Sequence, residues 1–172
     1  MRKAALPTSL LIAALLAPGS AMAAPETGRF RSRLSILKPL VLTKIADLDF
    51  GTIIPGIAIG DVTIDADTGI RTATDPAMIA TTDNGERGQF GSVGQDTASV
   101  DVDLVYPTQL LSADNKIIDV VTMVLDQGNA RNRILSSSSA IFFVGIGGTI
   151  RIRPDQEERL YTGTATLTVQ YN

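Results

Sequence analysis

The sequence predicts an all-β fold, an antiparallel β-sandwich, and three observations predict it. Short β-branched runs alternate apolar and polar residues with a period of two. Gly, Asp, Asn and Pro punctuate those runs at short intervals, as turns between strands require. No stretch after residue 23 carries the 3.6-residue period of a long amphipathic helix.

The elements follow in chain order. Arg2 and Lys3 form a positive start, residues 10–17 (LLIAALLA) an apolar run, and Pro18 and Gly19 a break. Ala21 and Ala23 place small residues before a cut, so residues 1–23 are expected to be a cleaved signal peptide. The apolar run is far shorter than the roughly 20 residues a membrane span needs. Residues 24–38 then form an N-terminal arm. In residues 28–36 (GRFRSRLSI), Phe30, Ser32, Leu34 and Ile36 share one face, and Arg29, Arg31, Arg33 and Ser35 the other. A strand this amphipathic must pair with a sheet. The plainer expectation is its own sheet, as the first strand of a self-contained sandwich. The other is the sheet of another subunit, by β-strand addition. Pro39, which has no N–H for a ladder interior, separates this arm from the domain at 39–172.

Within that domain, residues 61–65 alternate, Asp67, Thr68 and Gly69 turn, and residues 70–73 resume. Residues 78–94 are polar and Gly-rich, and predict a long loop with one short strand at 89–92. Val100, Val102 and Leu104 share a face opposite Asp101 and Asp103. Residues 117–125 are nearly continuous in apolar character, as a central strand buried on both sides would be. Residues 127–139 read as a polar connection. Ile150 and Ile152 alternate with Arg151 and Arg153, which are candidate cross-strand partners for Asp101 and Asp103. The cleanest alternation closes the chain: Ala165, Leu167, Val169 and Tyr171 face in, and Thr164, Thr166, Thr168 and Gln170 face out.

Composition narrows the chemistry. The chain has no His and no Cys, which excludes Ser-His-Asp and Cys-His nucleophile pairs and zinc sites built on imidazole or thiolate. Removing residues 1–23 leaves 149 and takes the formal net charge from −3 to −5. That length suffices for one core, and that charge disfavours nucleic acid as a partner. Asp65 and Asp67 have the start of a calcium-loop spacing without its distal ligands, and Gly69 marks a tight turn instead. Asp101 and Asp103 are a separation apart that acid–base work would tolerate, yet a solvated strand face explains them. Glycines 145, 147 and 148 are followed by no helix, so a phosphate loop fails its context; close backbone approach within a strand explains them. No catalytic residue, cofactor or metal is expected.

The motif at residues 39–51 (PLVLTKIADLDFG) resembles the opening of a family of small exported bacterial proteins. That family is a domain of unknown function, similar to spore coat protein U and chaperone–usher fimbrial subunits. Residues 144–150 (VGIGGTI) resemble its glycine-bearing strand, and residues 161–171 (YTGTATLTVQY) its closing strand. The resemblance covers both ends of the mature chain well and the middle poorly. It implies an immunoglobulin-like sandwich, incomplete and completed by an N-terminal strand. It also implies a non-catalytic subunit of a surface fibre or coat. Phe30, Leu34 and Ile36 would plug the groove of a neighbour, and the C-terminal edge with penultimate Tyr171 would face an assembly chaperone. The implied partners are further copies or related subunits, head to tail, with a periplasmic chaperone and an outer-membrane usher. The implied location is the periplasm and then the cell surface. Two rivals stand beside this reading. One is an outer-membrane barrel of about eight strands, poor in the aromatics its girdles need. The other is a self-contained secreted sandwich that binds carbohydrate.

Overall fold

The computed structural model describes residues 27–75, 78–136 and 138–172. The expected signal peptide lies outside the described residues, as do the first residues of the arm. The body, Ile36–Asn172, is a β-sandwich in which two antiparallel sheets take up almost all of the alternating runs. Its strands are β1 (Val41–Ala46), β2 (Gly60–Ile64), β3 (Arg71–Ala73), β4 (Gly88–Val93) and β5 (Ser99–Val105). They continue with β6 (Gln109–Leu111), β7 (Ile117–Leu125), β8 (Asn132–Ile134), β9 (Ile141–Ile152) and β10 (Thr166–Tyr171). The seven-stranded sheet runs β1-β4-β9-β2-β3, with β7 also on β9 and β6 on β7; the smaller sheet is β10-β5-β8. Two separate sheets, rather than one closed sheet, set aside the barrel.

Several expectations are met residue by residue. In β2, Val62 and Ile64 are buried, and residues 65–69 form the turn. The Asp65 carboxylate accepts the N–H of Asp67 and both the N–H and the hydroxyl of Thr68. These bonds hold its pKa below the usual carboxylate value. Val100 and Val102 point into the core, as do Leu167, Val169 and Tyr171 less completely.

Others are corrected. Residues 117–125 are not buried on both faces. Ile118 and Val120 face in, a bulge between Val120 and Thr122 shifts the register, and Met123 and Leu125 face in after it. Val121 is left 46% exposed. A bulge reverses which parity is buried, so an apolar run on both parities mimics two-sided burial. The strand expected within the 78–94 loop is longer, and as β4 it lies between β1 and β9. The polar connection at 127–139 contains β8, which pairs with β5. A four-residue helical turn, α1 (Asp126–Asn129), precedes β8, with Gln127, Gly128 and Asn129 left-handed. Arg133 is buried there and donates to the Asp126 carboxylate at 2.6 Å. Arg151 lies in β9 of the larger sheet and Arg153 just past its end, and neither meets the suggested aspartates. Arg151 makes a two-pronged pair with Asp61 and Arg153 bonds Asp119. Asp103 pairs with Arg131 and Asp101 accepts from Asn132. Ala165 precedes β10 and is exposed.

The core falls into two clusters. Phe50, Val62, Ile64, Met78, Ile118 and Ile150 belong to one. Val100, Val102, Leu125, Leu135, Phe142, Val144 and Ile146 belong to the other. Leu48 and Leu104, both partly buried, pack against each cluster.

The glycines of β9 serve close approach. A Cβ on Gly147 would overlap the Ile64 carbonyl and the Ala66 backbone, which have no freedom to yield. Gly147→Ala is therefore expected to lower stability by about 1–3 kcal/mol or more, read as a lower thermal midpoint. Gly28→Ala, where nothing lies within 4 Å, should leave the midpoint unchanged.

Candidate functional site

Sandwich interiors pack with few voids larger than a water molecule. Here the two sheets part around an open cleft of about 800 Å³. Its floor is apolar: Phe90, Ile118, Met123, Ile146, Ile150 and Ile152 from the larger sheet. Residues 46–55 form one wall, with Leu48 and Phe50 at their centre. Leu104, Ala165 and Leu167 form a second wall, and residues 156–163 the third. The cleft lies where the two core clusters separate.

Each wall is held by identifiable bonds. The first depends on Arg71, at the start of β3. Its guanidinium donates to the carbonyls of Phe50 (2.6 Å), Thr52 (3.3 Å), Ala80 (2.9 Å) and Asp83. Asp83 completes the clasp by accepting the N–H and the hydroxyl of Thr52 at 2.8 and 3.0 Å. The Gly85 and Thr52 bonds together hold the Asp83 carboxyl below its ordinary pKa. The third wall is tied to the β6–β7 hairpin. Leu111 and Thr162 exchange both backbone bonds, and Gln156 donates to the Ile117 carbonyl and the Tyr161 hydroxyl. Lys116 pairs with Glu157, raising its own pKa and lowering that of the glutamate through the shared hydrogen bond.

The remaining wall is an edge. β10 pairs with β5 along Thr166–Tyr171, and among the described residues its other side has no ladder partner. At the far end of β10 the penultimate Tyr171 is a latch. Its hydroxyl donates to the Lys38 carbonyl at 2.8 Å and accepts the Gln95 N–H at 2.7 Å. The side chain of Tyr171 thus has partners within the body.

Of the residues singled out from sequence, Ala165 and Leu167 line the cleft, while Val169 and Tyr171 pack on the second core cluster. Phe30, Ser32, Leu34 and Ile36 belong to no strand. Residues 27–40 carry no regular secondary structure and enter no ladder among the described residues. The expectation that this segment is the first strand of its own sheet is not met. Phe30, Leu34 and Ile36 are 91%, 86% and 84% exposed. Sequence reading missed the Arg71 clasp and the wall at 46–55. The signal for the first was an Arg in a short alternating run, indistinguishable from a solvated one.

The larger part of the chain has a known relation. The family model described as a domain of unknown function, DUF4402, matches residues 40–171. No curated protein matches the chain, and no solved structure does.

Two outcomes follow from the wall geometry. Tyr171→Phe leaves the Lys38 carbonyl and the Gln95 N–H without their partner, and should cost about 1–2 kcal/mol in denaturant unfolding. Asp83 and Glu157 have depressed folded-state pKa values, so they favour the fold above the ordinary carboxylate range. That contribution is lost as pH falls through their folded values. The thermal midpoint should fall below about pH 4, and less steeply in Asp83→Asn.

Proposed function

We propose, from the premise that the chain belongs to the DUF4402 family of domains of unknown function, that it is a non-catalytic structural subunit of a bacterial surface fibre or coat, assembled by β-strand addition. The observation that carries this reading is the apolar cleft beside the unpaired edge of β10. Such an edge offers ladder hydrogen bonds to an incoming strand, and the cleft offers space to its alternate side chains. The same chain carries a segment of matching character, with Phe30, Leu34 and Ile36 on one face and exposed.

The energetics favour filling. Burying a large apolar side chain contributes about 1.5–3 kcal/mol, so three such plugs outweigh part of the cost of immobilising two chains. An arm of one subunit in the cleft of the next is a head-to-tail contact, which extends into a filament unless its rotation closes a ring. Before assembly the open edge is an aggregation hazard. A periplasmic chaperone to cover it, and an outer-membrane usher to exchange the cover for the next arm, are therefore the partners proposed. Export through the inner membrane to the cell surface is proposed on the signal-like residues 1–23. The role requires no reaction and no cofactor.

The test compares the mature chain with a version lacking residues 24–35, which keeps the Lys38 carbonyl for Tyr171. Size exclusion is run on each, with and without a peptide of residues 28–38. The reading expects the full chain to form polymers and the shortened one to bind the peptide as a monomer. Leu34→Asp in the full chain should abolish polymers without changing the far-UV spectrum. Well-folded monomers throughout, indifferent to the peptide, would overturn the reading.

A further inference from the structure

We infer that the cleft is charge-matched to the arm of a second copy of this chain, so that the assembly it builds is a homopolymer selected by arginine–carboxylate pairing. The inference rests on the strand-addition reading above and adds the identity of the occupant.

The arm supplies one half of the match. With Phe30, Leu34 and Ile36 turned into the cleft, strand alternation turns Arg29, Arg31 and Arg33 outward. Residues 28–36 contain three arginines and no acid, a formal +3. The cleft supplies the other. Among the described residues its lining holds four carboxylates, Asp47, Asp49, Glu157 and Glu158, against one cation, Arg159, a formal −3.

Two of these acids are already balanced within the body: Asp47 pairs with Lys44 and Glu157 with Lys116. Asp49 accepts the Gly51 N–H, which leaves its charge intact. Glu158 is exposed, with no side-chain partner among the described residues. Among the described residues Asp49 and Glu158 are thus the lining carboxylates without a cation, on the walls formed by residues 46–55 and 156–163. A seated arm lies between those walls. Its outward arginines satisfy both, whereas a donor with a neutral outer face gains nothing there and an acidic one is repelled. The apolar plugs supply affinity for any amphipathic strand, and the charges choose this one.

The test uses the full mature chain with two variants. The arm variant carries Arg29→Glu, Arg31→Glu and Arg33→Glu. The rim variant carries Asp49→Asn, which keeps an acceptor for the Gly51 N–H, and Glu158→Lys. Far-UV spectra and thermal midpoints verify that both fold. Sedimentation then gives the concentration for half-assembly, in salt from about 0.1 M to about 1 M, over which screening tightens from roughly 10 Å to 3 Å. The inference expects each variant alone to need about tenfold more protein to assemble, consistent with a few exposed ion pairs. It expects an equimolar mixture to recover assembly, and the wild type to weaken with salt.

Assembly indifferent to salt and to both variants, yet lost in Leu34→Asp, overturns charge selection and leaves strand addition standing. Wild-type chain that stays monomeric at every salt concentration overturns both. Variants that each assemble poorly but do not recover on mixing also overturn it, because the charges then act within one copy.

Discussion

β9 is the strand on which the rest of the structure depends. β2 and β7 pair with the same stretch of it, residues 148–151, and therefore occupy its two edges. β4 pairs with its first half, and β1 joins the sheet through β4. Its inward side chains feed both core clusters: Phe142, Val144 and Ile146 on one side, Ile150 and Ile152 on the other. By strand parity the inward position between them is Gly148, which has no side chain to bridge the gap. The cores part in this region, and Ile146, Ile150 and Ile152 become the floor of the cleft.

An open apolar cleft is costly to a protein in water, and the structure shows what keeps it open. The Arg71 clasp ties residues 50–52 to residues 80–83 by carbonyl bonds that do not depend on core packing. The third wall is tied by the reciprocal Leu111–Thr162 pair. Tyr171 fixes the far end of β10 to Lys38 and Gln95. With its walls held separately, the cleft is not free to collapse as a mutated core does. The sandwich therefore retains an apolar hollow beside an edge that has no ladder partner among the described residues, which is the physical basis for reading the site as a seat for a strand.

Much of the fold was legible in the alternation. β2, β5 and β10 appear where period-two runs with one apolar face occur, because one-sided burial writes itself into residue parity. The turn at Asp65 was legible for a similar reason: its chemistry is local. β8 was not, since three residues with Arg133 buried look polar, and the burial is tolerable because Arg133 pairs with the Asp126 carboxylate and donates to the Ala130 and Asp126 carbonyls. The bulge at Val121 was equally hidden. It exchanges the inward parity within a run that is apolar on both parities, so no pattern changes at the bulge.

The sequence by itself determined that the domain is built of β-strands, which faces most strands bury, and that residues 28–36 are amphipathic as a strand. Those properties depend on neighbours a few residues apart. Tertiary structure alone decided that two sheets part around a cleft, that Arg71 spans four carbonyls to hold one wall, and that the amphipathic segment forms no strand within this chain. Each of these is a balance between groups far apart in sequence, where backbone bonds and packing are settled together, and no local pattern records which partner wins.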